Sequence, residues 1–131
     1  MHAWRKIRVL LIDDERDLVH ALVIRLAVGW GLDVETAADG RVGLDKCRSF
    51  KPDVILLDVA MPVMDGWECC RRLRADPETR DIPVILMTAW LSDDLVRRAE
   101  ALGAARVLVK PFDEDELMGL LRSLPKNGKG R

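Results

Sequence analysis

Asp13, Asp14 and Asp58 are carboxylates, Thr88 is a hydroxyl and Lys110 an ammonium, and each stands where a short apolar run stops. The first run ends in Asp13-Asp14-Glu15, the third in Asp58, the fourth in Thr88-Ala89 and the fifth in Lys110-Pro111; the second ends in Ala37-Ala38. One acid after a strand means little, because it favours the N-terminus of the next helix. Here the conjunction matters. Three carboxylates brought together repel one another and raise a pKa unless a cation intervenes. Hard oxygen donors without histidine or a suitable cysteine select Mg²⁺ or Mn²⁺ over zinc. A carboxylate facing such an ion can attack phosphorus and become an acyl phosphate. The charge on the phosphoryl oxygens needs compensation throughout the transfer. Lys110 offers a second cation and Thr88 a hydrogen bond.

Such a set needs a scaffold that aims all five groups at one place. The apolar runs at residues 7–12, 34–37, 54–57, 84–87 and 105–109 are mostly continuous rather than alternating. That pattern marks parallel strands covered on both faces. Helical patterns at 16–28, 39–48, 67–75, 93–102 and 114–124 separate or follow them. Leu18, Leu22 and Leu26 form a stripe in the first, and Leu117, Leu121 and Leu124 in the last. Ser92 is an expected N-cap, Gly103 an expected C′ residue, and Asp113 with Glu116 resembles a capping box. Strand then helix, five times, predicts a doubly wound α/β sandwich with right-handed crossovers. Ligands of such sheets bind beyond the carboxyl ends of the strands, which is where the five groups fall.

The 131 residues fit one domain, and 49% apolar content suffices for a core. Twenty-one basic residues against 22 acidic ones leave a net charge of -1, which argues against a wholly nucleic-acid-binding surface. No apolar stretch reaches the length of a membrane span, and no signal peptide is read at the N-terminus. A cytoplasmic protein is expected. Cys47, Cys69 and Cys70 form no ligand pattern and are read as reduced thiols in or near helices, with a redox or metal role as the alternative. The segment "PKNGKGR", residues 125–131, is expected to be a flexible basic tail after a domain spanning 1–124.

The stretches "LLIDDE", "VILLDVAMPVMDGWE", "PVILMTA" and "VLVKPF" resemble, in order and spacing, the receiver (REC) domain of two-component response regulators, over residues 6–124. The resemblance implies a flavodoxin-like three-layer sandwich with strand order 2-1-3-4-5. It makes Asp58 the phosphoacceptor, taking a phosphoryl group from a phosphohistidine of a sensor histidine kinase or phosphotransfer protein. Asp13, Asp14, Asp58 and the Ala60 carbonyl would hold Mg²⁺, with Mn²⁺ a substitute. Thr88 and Lys110 would contact the phosphate, and Ala89 would leave it room. The Lys110–Pro111 peptide would be cis, which proline makes inexpensive. Met61, Pro62 and Gly66 would shape the loop after Asp58.

One position departs from the family pattern. The aromatic residue usual three before the lysine is replaced by Val107, and the chain has no tyrosine, so threonine–aromatic coupling cannot run in its usual form. Trp90, two residues after Thr88, is the substitute suspect: it either packs the loop's root or lies beside Asp58 and limits water's access. With Ala60 offering no polar side chain, the latter predicts slow self-dephosphorylation. In the first helix Val19, Val23 and Ala27 widen the apolar stripe, through deeper burial or as a docking patch.

The leading reading is a signalling switch, not an enzyme, whose output is altered protein binding through the fourth helix, fifth strand and fifth helix. It would act as a monomer or a phosphorylation-dependent homodimer. The alternatives are a degenerate receiver that binds partners constitutively, and the N-terminal fragment of a longer regulator. A phosphatase of the haloacid-dehalogenase type also forms an aspartyl phosphate, but it places a DxD after its first strand where this chain has DDE. No helix-turn-helix for DNA is read within these residues.

Overall fold

The computed structural model describes residues 6–124. Five parallel strands, β1 (Arg8–Ile12), β2 (Asp33–Ala37), β3 (Val54–Asp58), β4 (Val84–Thr88) and β5 (Arg106–Val109), lie in the order 2-1-3-4-5. The helices are α1 (Arg16–Val23), α2 (Gly40–Phe50), α3 (Gly66–Ala75), α4 (Asp93–Ala101) and α5 (Glu114–Ser123). The expected tail at 125–131 lies outside the described residues. No helix among the described residues is long and apolar enough to cross a membrane.

Side chains alternate across a strand, and the core divides accordingly. Leu10, Ile12, Ile55, Leu57, Val84 and Leu86 pack on one face with Cys47, Cys69, Cys70 and Leu73 from α2 and α3. Val9, Leu11, Val54, Leu56, Ile85, Met87 and Leu108 pack on the other with Leu22, Leu26, Leu117 and Met118. Both faces of the central strands are therefore apolar, which explains the unbroken runs. Each of these fully buried aliphatic side chains contributes about 1.5–3 kcal/mol.

The caps behave as expected. Ser92 accepts from the Leu95 N–H at 3.0 Å and Asp113 from the Glu116 N–H at 2.7 Å. Gly103 has φ +74° after α4, the left-handed conformation expected of it. Asp39 and Asp65 cap α2 and α3 in the same way, at 2.9 Å each.

The first helix corrects the sequence reading. It is not α-helical over the expected span: after Val23 it widens into a π-helical segment, Ile24–Gly29, where the Trp30 N–H reaches the Arg25 carbonyl at 3.1 Å. A π-turn takes up an extra residue, so Leu26 remains fully buried while Ile24 and Val28 face outward. Of the wide stripe, Val19, Val23 and Ala27 are half-buried, and Val19 packs against the core.

Candidate functional site

The strand register brings the polar ends together. Ile12 pairs with Leu57, so Asp13 comes abreast of Asp58. Asp58 pairs with Met87, which places Thr88 one step beyond it. Thr88 pairs with Val109, and Lys110 follows. Parity then sorts the groups. Asp13 continues the series Val9-Leu11, Asp58 continues Val54-Leu56 and Lys110 follows Leu108, all on the α1/α5 side. Thr88 continues Val84-Leu86 on the α2/α3 side.

Asp13, Asp58 and Thr88 are buried, although polar. The Lys110 ammonium reaches along the rim from the end of β5 to that of β1 and stands 2.7 Å from Asp13 Oδ2, 2.9 Å from Glu15 Oε1 and 3.3 Å from Asp58 Oδ1. Asp13 Oδ1 accepts the Glu15 N–H at 2.9 Å. The Thr88 hydroxyl both accepts from the Trp90 N–H and donates to the Trp90 carbonyl, at 3.1 Å each. Above them opens a cleft of about 240 Å³ lined by Asp14, Glu15, Asp58, Val59, Ala60, Thr88, Ala89 and Lys110. A larger groove of about 510 Å³ between α2 and α3 contains none of these residues.

Burial pushes the Asp58 carboxyl up to about 6, with the charge of Asp13 adding to the rise. Lys110 and the Ala60 N–H offset part of it. Burial works against the charge of Lys110, but its hydrogen bonds to Asp13 and Glu15 and the charges of Asp13 and Asp58 outweigh that, leaving it above the ordinary lysine value. Carboxylate oxygens of Asp13, Asp14 and Asp58 lie within 4.8 Å of one another. The lining holds no imidazole and no thiol, so the donor set fits a hard divalent cation.

The loop above the cleft is held close. The Gly66 N–H donates to the Val59 carbonyl at 2.8 Å. A Cβ on Gly66 would stand 2.2 Å from the Asp58 carbonyl oxygen, so only glycine lets α3 start against β3. The Lys110–Pro111 peptide is cis.

Asp13, Asp14, Asp58, Ala60, Thr88, Ala89 and Lys110 are thus gathered at one rim. Val107, half-buried, packs against the α2/α3 side of the core. The main chain of Trp90 is tied to Thr88, while the residue is 82% exposed and is not among those lining the cleft. Glu15 is the contact that sequence reasoning missed; its place directly after Asp13-Asp14 was the available signal. The three cysteines are buried, and burial pushes the Cys47 and Cys69 thiols up to about 12, which keeps them protonated.

A five-stranded 2-1-3-4-5 sheet with an acidic cleft at its carboxyl edge defines a class, and the comparisons agree. The family model "Response regulator receiver domain" matches residues 9–122, and the chain belongs to that family. It is 42% identical over 120 residues to the response regulator PleD of Caulobacter vibrioides, an alignment covering 91% of this chain and 26% of PleD. It is 39% identical to the response regulator MprA of Mycolicibacterium vanbaalenii, covering 95% of this chain and 54% of MprA. The chain therefore spans about a quarter to a half of these relatives. Among solved structures, the chemotaxis protein CheY4 of Vibrio cholerae superposes with a TM-score of 0.85 at 35% identity, covering 90% of this chain and 98% of CheY4. The receiver domain of a DNA-binding response regulator from Colwellia psychrerythraea gives 0.82 at 32% identity, covering 89% and 96%.

Proposed function

We propose that this receiver domain is a phosphorylation switch with Asp58 as its phosphoacceptor. The observation that carries the reading is a carboxylate at the mouth of a cleft, 3.3 Å from a lysine ammonium and clustered with two further acids. An Asp58 oxygen attacks phosphorus as the bond to the donor imidazole of a sensor kinase or phosphotransfer protein breaks, giving an acyl phosphate and a free histidine. With a carboxyl near 6, Asp58 is mostly ionised at neutral pH, as a nucleophile must be. Asp13, Asp14, Asp58 and the Ala60 carbonyl would hold Mg²⁺, with Mn²⁺ a substitute. The ion supplies positive charge against the phosphoryl oxygens. Lys110 supplies the second cation, the Thr88 hydroxyl turns from Trp90 toward the phosphoryl group, and Ala89 leaves it space.

Phosphorylation shifts an existing equilibrium by no more than its differential affinity for the two states. The output is altered binding of a protein partner through α4, β5 and α5, by a monomer or a phosphorylation-dependent homodimer in the cytoplasm. Because the chain matches only 26% of PleD and 54% of MprA, a second reading has it as the receiver portion of a longer regulator.

Incubation with acetyl phosphate and Mg²⁺, followed by intact mass, tests the switch. Wild type gains one phosphoryl group, while Asp58→Asn and metal-chelated wild type gain none. An unmodified wild type would leave the constitutive binding module as the better description.

A further inference from the structure

Lys110 is fully subscribed. An ammonium has three N–H donors, and three carboxylates already stand at 2.7, 2.9 and 3.3 Å from it. A phosphoryl oxygen can reach this nitrogen only if one of them gives way. Asp13 is poorly placed to yield: its side chain is wholly buried, and its other oxygen accepts the Glu15 N–H. Asp58 is the attacking group. Glu15 differs from both, because its side chain is 61% exposed and water can replace what it gives up.

The helix start offers an independent sign. Glu15 is the N-cap residue of α1, a position whose side chain commonly accepts a hydrogen bond from the first helical amides. Asp39, Asp65, Ser92 and Asp113 all do so at their own helices. Glu15 makes no such bond. Its carboxylate goes to Lys110 instead, so a substitution removes no capping hydrogen bond from the helix.

We infer that Glu15 is a clamp on Lys110, holding in the resting protein the donor position that the incoming phosphoryl group takes, and releasing it during phosphorylation. The inference rests on Asp58 being the phosphoacceptor. Glu15 is a positioning residue rather than a catalytic one: it acts through the lysine and also adds negative charge at the mouth of a cleft that admits an anion. In the step it restrains, a bond forms between an Asp58 oxygen and phosphorus while the bond from phosphorus to the donor oxygen breaks, releasing acetate when the donor is acetyl phosphate.

The test is the rate of acetyl phosphate labelling at saturating Mg²⁺, followed by intact mass, in wild type, Glu15→Gln and Glu15→Asp. The clamp predicts that Glu15→Gln labels about fivefold faster at low salt, the size expected from removing one partly screened charge. The gain should shrink in high salt. Glu15→Asp keeps the charge but shortens the arm, so it should label faster than wild type but by less than the Gln variant. Denaturant midpoints unchanged in both variants would confirm that the helix start is intact. Equal or slower labelling of Glu15→Gln overturns the clamp, since it would mean that Glu15 is neutral or holds Lys110 in its working pose. A fast Gln variant beside an Asp variant that matches wild type also overturns it, leaving only a field effect. Failure of wild type itself to label overturns the phosphoacceptor reading, and the clamp with it.

Discussion

On one side of the cleft Asp13, Asp58 and Lys110 stand at ion-pair distance, nearly shut off from water. On the other, Thr88 spends its hydroxyl on the main chain two residues ahead, and Ala89, Trp90 and Leu91 are exposed. Strand parity separates the two sides, since the charges follow the α1/α5 face and the threonine the opposite one. The charged side is cross-linked between β1, β3 and β5 by long-range contacts. The hydroxyl side is tied only to its own loop. A switch needs both: a fixed electrostatic frame for the chemistry, and a neighbour whose few contacts can be exchanged.

This contrast is broken most directly by removing the cation. Lys110→Ala leaves Asp13 and Asp58 buried without their partner and should cost about 3 kcal/mol in urea denaturation at neutral pH, the usual penalty for a broken buried pair. A loss no larger than that of Thr88→Ala would show that the two sides are equally dispensable.

The next effect is that of pH. Asp58 titrates at about 6 in the folded protein against an ordinary value of 3.8. Between these values the folded state keeps a proton that the unfolded chain has released, so this group's contribution to stability falls as pH rises through that window. The fall is of order 3 kcal/mol. Denaturation of wild type and Asp58→Asn across the window measures it; a wild-type profile as flat as that of the Asn variant would refute strain on the charged side.

Thr88→Ala should cost less, about 1 kcal/mol, because only local hydrogen bonds are lost. Smallest of all is Trp90→Ala. With the residue 82% exposed, the change should stay within about 0.5 kcal/mol, and phosphoryl loss should match wild type. Faster loss in Trp90→Ala would restore the shielding role that this exposure argues against.

Much of this was legible in the chain because it depends on local pattern. Unbroken apolar runs at β1, β3 and β4 follow from burial on both faces. Ser92, Gly103 and Asp113 stop or start helices through their own chemistry. The π-turn at Ile24–Gly29 was hidden because Leu18, Leu22 and Leu26 satisfy ordinary helical spacing; the mismatch arises only when Leu26 and Leu32 must both reach the core. The exposure of Trp90 was not legible, because bulk near a site says nothing about which way a side chain turns once its main chain is pinned to Thr88.

The sequence by itself determined which residue types end each strand, and hence that acids, a hydroxyl and an ammonium meet at the sheet's carboxyl edge. Only the tertiary structure decided that Lys110 reaches Asp13 across 97 residues of chain, and that Glu15 shares it. Strand ends are fixed by local burial periodicity, whereas a contact between side chains from different strands depends on register, parity and competition for three N–H donors, which exist only once the sheet has closed.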